Sequence, residues 1–319
     1  MTEKKVVFLG MGGTIAGKAA EAVDNIGYKA AQLRVDDLLA SIQSALPPCA
    51  IEVEQVAQLD SKDMSLSALS LLALRVAYWV SLPEVQGVVV THGTDTLEET
   101  AFFLQQICSP AKPVVLTCAM RPATALAPDG PQNLRDAFAL VLDDSASGVL
   151  VVCAGRVHTA RDVQKNHTYL LDAFTSGDAG CVAYVEEGAL RRVGRWPVAG
   201  DDFAVNCLER LGEMSQRSDD AWPSVEVVMN HVGANGAVVD AMIGLGVKGI
   251  VVAGTGNGTI HQSLESALLR AKNKGVTIIR STRCANGRVL PVPGSLFLDS
   301  VGLSPVKARI ALILRLLTT

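Results

Sequence analysis

The chain has 319 residues, 49 % of them hydrophobic and 19 % charged, which suits one large or two ordinary domains with a sizeable core. The net charge of −4 gives no reason to expect nucleic acid or an acidic membrane as partner. Arg75 interrupts the longest apolar run before it reaches membrane-spanning length. The seven cysteines are widely spaced, with no C-x-x-C and no pairing with histidine. Cys108, Cys118 and Cys153 sit in apolar runs and read as small buried residues. This usage indicates a reducing compartment, hence the cytoplasm, and no metal site. No secretory leader is visible at the start.

Residues 5–9 (KVVFL) read as a buried strand ending in a glycine-rich run, 10–17. Ile15 stands where a dinucleotide fingerprint needs glycine, and the spacing before Lys18 is wrong for a phosphate loop. What remains is Thr14 at a strand end, behind two glycines. Residues 18–34 form a long loop containing Tyr28, of a length typical of lids and binding loops. Residues 33–46 have helical spacing, stopped by Pro47 and Pro48, and 51–57 alternate as a strand. Asp60, Ser61, Lys62 and Asp63 follow that strand, and Ser65 or Ser67 caps a helix reaching about Val80.

Residues 88–100 (VVVTHGTDTLEET) organise the rest. Three valines suit a strand buried on both faces. A loop with His92, Thr94 and Asp95 comes next, and Thr96 with Glu99 has capping-box spacing for a helix to about Ile107. A further strand at 113–117 leads to Ala119. Asp129-Gly130-Pro131 then opens a helix, and 148–154 is a fifth strand. Lys165 lies beyond it.

This alternation predicts an α/β fold with a doubly wound, mostly parallel sheet. Composition changes near residue 191, so the expected division is an N-terminal catalytic domain over 1–190, a linker over 191–221 and a smaller α/β domain over 222–319. In the last segment, residues 254–259 (GTGNGT) make a second glycine-rich turn, and 305–317 make a terminal helix.

Five strand ends of one sheet are therefore expected to bring Thr14, Ser61, Thr94 with Asp95, Ala119 and Lys165 to one crevice. Two hydroxyl nucleophiles, a lysine, a carboxylate and glycine-loop N–H groups suit acyl transfer to water. No cofactor loop for hydride or phosphoryl transfer is present. An ordinary lysine, with a pKa of about 10.4, is a poor base at neutral pH, so burial or a relay has to activate it.

The stretches GGTIAG (12–17), SKDM (61–64), THGTDTLEETA (91–101), AMRP (119–122), DGPQNL (129–134), RDVQK (161–165) and GNG (256–258) resemble the bacterial-type L-asparaginases and glutaminase-asparaginases. They fall in the family's order and cover nearly the whole chain. The resemblance implies hydrolysis of a side-chain amide without cofactor. It makes Thr14 the nucleophile that carries the acyl group and Tyr28, on a mobile lid, its polarising partner, and leaves open which of Thr14 and Thr94 attacks first. Thr94, Asp95 and Lys165 form a second triad, and the Thr94 N–H assists the oxyanion. It further implies that Ser61 binds the substrate α-carboxylate, Asp95 the α-ammonium and the Ala119 carbonyl the leaving nitrogen. It gives a homotetramer of two tight dimers with shared sites, across which Asn257 reaches.

Two positions depart from the family pattern. Lys62 stands where an uncharged or acidic residue usually touches the substrate's amino-acid end. A cation there repels the ammonium unless Asp60 or Asp63 neutralises it. The family's trans-acting glutamate has no clear match, the only acid between 250 and 298 being Glu265. The expected consequence is altered α-amino recognition, with weaker affinity for asparagine or preference for another amide. Other occupants of this scaffold are an amidotransferase subunit, which usually carries an extra N-terminal domain, and a non-catalytic amino-acid sensor. A lysophospholipase needs an acyl channel that the sequence does not offer.

Overall fold

The computed structural model describes residues 5–198, 202–214 and 221–318. They form two compact units, the first running to Ser215 and the second starting at Gln216.

The first unit opens with β1 (Lys5–Gly12), α1 (Val35–Ile42), β2 (Ala50–Leu59), α2 (Leu66–Ser81), β3 (Val85–Thr91), α3 (Leu97–Cys108), β4 (Pro113–Thr117), α4 (Gly130–Val141) and β5 (Gly148–Cys153). These five strands are parallel and lie in the spatial order β2-β1-β3-β4-β5. Val6, Val7, Phe8 and Leu9 are completely buried, as a continuous apolar run in a parallel strand requires. Val6 and Phe8 join a core cluster with Val35, Leu38 and Ile42 of α1 and Leu134, Phe138 and Val141 of α4. Phe8 meets Phe138 edge-on, ring centroids 5.6 Å apart. By strand alternation Val7 and Leu9 face the opposite side. There α2 packs on β3, and α3 packs on β5 and on α2. Helices on both faces make the sheet doubly wound, as expected.

The strand order reverses between β1 and β3. Such a switch point opens a crevice beyond the carboxyl ends of the two strands, because their connections leave on opposite faces. Thr14 follows β1, and Thr94 follows β3.

After β5 the alternation stops, which the sequence pattern did not reveal. β6 (Arg156–Thr159), β9 (Ala183–Glu186) and β10 (Ala189–Arg192) extend the sheet antiparallel. Between them, β7 (Gln164–Lys165) and β8 (Phe174–Thr175) make a separate two-stranded hairpin. Lys165 therefore does not lie at a strand end of the main sheet. The end of β10 and all of α5 (Asp202–Met214) fall within the stretch read as linker. α5 packs against α2 and α3, with Cys207 and Leu211 buried, so this stretch adds to the first unit.

Two caps also differ from expectation. The Thr96 hydroxyl makes no cap bond and instead donates to the Ser61 carbonyl, 2.8 Å away. The Asp129 carboxylate likewise does not cap α4. It accepts the Met120 and Arg121 N–H groups, both at 2.9 Å, and holds the loop after β4. In both cases a loop-to-loop bond takes the oxygen that a local cap would use.

The second unit is a four-stranded parallel sheet, β11 (Val225–Met229), β12 (Gly249–Gly254), β13 (Thr277–Thr282) and β14 (Leu298–Asp299), in that spatial order. α6 (Ala237–Gly244) and α7 (Gln262–Asn273) share a core with one face. α8 (Pro305–Leu317) covers the other. A Cβ at Gly249 would lie 2.6 Å from Leu312, so the glycine lets α8 seat closely on β12. No helix among the described residues is long and apolar enough to cross a membrane.

Candidate active site

The loops after β1 and β3 touch. A Cβ on Gly13 would run into the backbone of Gly93, and one on Gly93 would run into the Ser61 side chain. Gly12 and Gly13 also take φ values of 95° and 79°, in the region that glycine tolerates and other residues avoid. The two glycine loops thus bring three strand ends into van der Waals contact, and the residues beside them are the hydroxyl-bearing ones.

Thr14 sits in a short 3-10 turn (Thr14–Ala16) and is buried. Its Oγ1 lies 2.6 Å from the Tyr28 hydroxyl. Tyr28 comes from the long loop, whose base is closed by paired bonds between Lys18 and Lys29, each 2.9 Å. The Ala19 N–H donates to Thr124 Oγ1 and the Leu126 N–H to the Ala22 carbonyl. These bonds hold the loop shut against residues 122–126, with Tyr28 over Thr14.

Lys165 Nζ donates to Thr94 Oγ1 at 2.8 Å and to Asp95 Oδ1 at 2.6 Å. The hairpin carrying it is fixed to α3, because the Lys165 N–H donates to Glu98 Oε2 at 2.6 Å. Glu98 was not singled out from the sequence. A first-turn glutamate reads as an ordinary complement to the helix dipole, and its partner is 67 residues away in the chain. Ser61 is buried, and its Oγ accepts the Asp95 N–H at 3.2 Å, which leaves its own O–H to donate. Ala119 is buried in the loop that Asp129 holds.

Comparison with known proteins decides the family. The asparaginase N-terminal family model matches residues 5–198, and the glutaminase/asparaginase C-terminal domain model matches residues 224–319. The chain belongs to the asparaginase family. It is 35 % identical to L-asparaginase 2 of Bacillus subtilis, over all of this chain and 85 % of that protein. It is 33 % identical to the glutaminase-asparaginase of Pseudomonas fluorescens, over 98 % of this chain and 86 % of that one. The crystal structure of a probable cytoplasmic L-asparaginase from Campylobacter jejuni superposes with a TM-score of 0.88 at 34 % identity, covering 99 % of this chain and 96 % of that one. The chain is accordingly an amidohydrolase of the asparaginase type acting on a small amino-acid amide.

The charge at Lys62 of this asparaginase is balanced locally. Its Nζ pairs with Asp60 at 2.8 Å and Asp63 at 3.1 Å, and these bonds hold its pKa above the ordinary lysine value. The side chain is 61 % exposed. The condition under which the expected repulsion disappears is therefore met. Lys62→Gln is expected to change KM for asparagine less than about threefold, since exposed, solvent-screened pairs are worth little. A change of tenfold or more in steady-state KM would restore the repulsion.

Asn257 lies in the glycine-rich turn of the second unit, where Thr255 and Thr259 pair. Its Oδ1 accepts the Leu290 N–H at 2.7 Å, leaving its amide N–H groups for another partner. Glu265 falls in the first turn of α7, after that glycine-rich turn.

His92 is completely buried, and burial lowers its pKa to about 4. The unfolded chain protonates this imidazole below about pH 6.5, and the folded chain does not until about pH 4. Its contribution is complete above pH 6.5 and is lost as pH falls toward 4, amounting to roughly 3 kcal/mol in all. Urea-unfolding midpoints measured from pH 7.5 to 4.5 should fall more steeply for the native protein than for His92→Asn. Equal slopes would contradict the assignment.

Proposed function

We propose that this asparaginase hydrolyses L-asparagine to L-aspartate and ammonia through an ester on Thr14, with L-glutamine and D-asparagine as further substrates. The observation that carries this reading is the pair of relays on abutting loops, Thr14 with Tyr28 and Thr94 with Lys165 and Asp95.

Thr14 Oγ1 attacks the side-chain amide carbon and passes its proton toward the Tyr28 oxygen. The C–N bond breaks, ammonia leaves with the added proton, and an acyl ester remains. Water then adds to the ester, its proton passing through Thr94 Oγ1 to Lys165 as Lys165 shifts one of its own protons to Asp95 Oδ1; the same chain runs back to protonate the Thr14 oxygen as the ester C–O bond breaks, and aspartate departs with the Thr14 hydroxyl restored. The Thr94 N–H donates to the oxyanion in both halves. Ser61 offers its O–H to the α-carboxylate. Asp95 engages Lys165 through Oδ1, and Oδ2 has no partner among the described residues, so one carboxylate oxygen serves the α-ammonium. The Ala119 carbonyl receives the leaving amide nitrogen.

Coupled ammonia assays on L-asparagine, L-glutamine and their D-forms test the substrate range. Hydroxylamine tests the ester. If an acyl-enzyme forms, hydroxylamine competes with water and yields the hydroxamate at a constant partition ratio. Ammonia release with no hydroxamate at any hydroxylamine concentration would remove the covalent step.

The proposed assembly is a homotetramer of two dimers with shared sites, checked by light scattering after gel filtration. The proposed location is the cytoplasm, supported by seven cysteines that are all free thiols. Cell fractionation checks it.

A further inference from the structure

Lys165 reaches Thr94 from outside the main sheet. The hairpin that carries it has two residues in each strand, Gln164 and Lys165 against Phe174 and Thr175. A two-stranded hairpin is marginally stable by itself. The chain between its strands is exposed over residues 166–170, and its buried anchors are Val163 on one side and Ala173 and Phe174 on the other. Where the Lys165 ammonium ends up, four methylenes from the backbone, therefore depends on what else holds that backbone.

In an antiparallel pair, successive N–H groups point alternately toward the partner strand and away from it. The Asn166 N–H points across the hairpin and donates to the Ala173 carbonyl at 2.7 Å. The Lys165 N–H accordingly points outward, where a third strand would offer a carbonyl, but this sheet has only β7 and β8. Glu98 Oε2 takes that place, 2.6 Å from the Lys165 nitrogen. Glu98 lies in the first turn of α3, where the helix N-terminus favours a carboxylate. A hydrogen bond to an ionised acceptor is about twice as strong as a neutral one. Thr94 and Asp95 come just before the same turn. One short stretch thus holds Lys165 at both ends, its N–H through Glu98 and its ammonium through Thr94 Oγ1 at 2.8 Å and Asp95 Oδ1 at 2.6 Å.

We infer that Glu98 is a positioning residue, whose hold on the Lys165 backbone sets the reach of the ammonium to the Thr94 hydroxyl. The inference rests on the relay through Thr94, Lys165 and Asp95 proposed above. Glu98→Ala removes the acceptor and frees the hairpin, and misplacing a reacting group by about 1 Å costs up to about 100-fold. Its kcat for asparagine is expected to fall about 30-fold, with KM within threefold. Glutamine offers a carbonyl oxygen at the same reach, so Glu98→Gln should keep kcat within about threefold. Aspartate keeps the charge but is one methylene shorter, so Glu98→Asp should fall about tenfold.

Combination with Lys165→Met separates an effect exerted through Lys165 from damage elsewhere. Once the ammonium is gone, the hold on its backbone has nothing left to place. Glu98→Ala should then lower kcat by less than about twofold beyond Lys165→Met alone. A further loss as large as in the native background overturns the positioning role, because the effect then does not run through Lys165. So does a Glu98→Gln enzyme as impaired as Glu98→Ala, or a native-like kcat in Glu98→Ala while Lys165→Met has lost most of its turnover. Should Glu98→Ala show no cooperative thermal transition, Glu98→Asp takes its place in the same double-mutant comparison. If Lys165→Met itself keeps kcat within about tenfold of native, the relay fails and this inference with it.

Discussion

Thr14→Ala is expected to lower kcat for asparagine on the order of 10⁴-fold, while its thermal midpoint stays within about 2 °C of the native value. The stability expectation follows from what the side chain does. The 3-10 turn is held by backbone bonds, Ala16 N–H to Gly13 O and Gly17 N–H to Thr14 O, which alanine preserves. The side chain adds one hydrogen bond to Tyr28, worth about 1 kcal/mol net. The catalytic expectation follows from the absence of another oxygen at that place. Thr14→Ser keeps the hydroxyl but loses the branching that limits its rotamers, and should fall only about tenfold. Mass spectrometry of acid-quenched Thr94→Ala is expected to find the ester on the peptide carrying Thr14, because the second relay serves its hydrolysis. Near-normal turnover in Thr14→Ala, or an ester on the peptide carrying Thr94, would transfer the attacking role to Thr94.

Lys165→Met is expected to lower kcat about 10³-fold, with KM for asparagine within threefold. Methionine fills the same space but removes both donors, to Thr94 Oγ1 and to Asp95 Oδ1. The Asp95 side chain is 52 % exposed, so water solvates the carboxylate left behind and the fold survives. KM is spared because Asp95 keeps its oxygens for the ammonium. Arginine does not rescue, since its planar fork cannot place one donor on a hydroxyl 2.8 Å away in the manner of an ammonium. On the proposed single relay through Thr94 and Lys165, Thr94→Ala combined with Lys165→Met is expected to be no worse than about the more damaging single change. Additive losses in kcat, or rescue by Lys165→Arg to within tenfold, would show that only the positive charge matters.

Local patterns carried much of the fold. The valine run in β3, the apolar run in β1 and the helical spacing of α2 and α8 each reflect burial that repeats at the period of its own element. Parallel alternation then placed Thr14, Ser61, Thr94 and Ala119 after neighbouring strands. The pattern failed where strands turn antiparallel, because β6 to β10 are two to four residues long and too short to show a period. It failed again at Thr96 and Asp129, whose oxygens bond distant loops instead of local N–H groups.

By its residues alone this chain specified a doubly wound α/β unit, a second α/β unit and the chemical groups of an amide hydrolase, because strand periodicity, glycine turns and motif spacing are properties of short stretches. Only the tertiary structure decided that Lys165 arrives on a separate hairpin gripped by Glu98, that Lys62 is balanced by Asp60 and Asp63, and that His92 holds the Gly93 carbonyl. Each of these depends on where side-chain donors and acceptors lie in space, and hydrogen bonds of about 3 Å between loops leave no period along a chain.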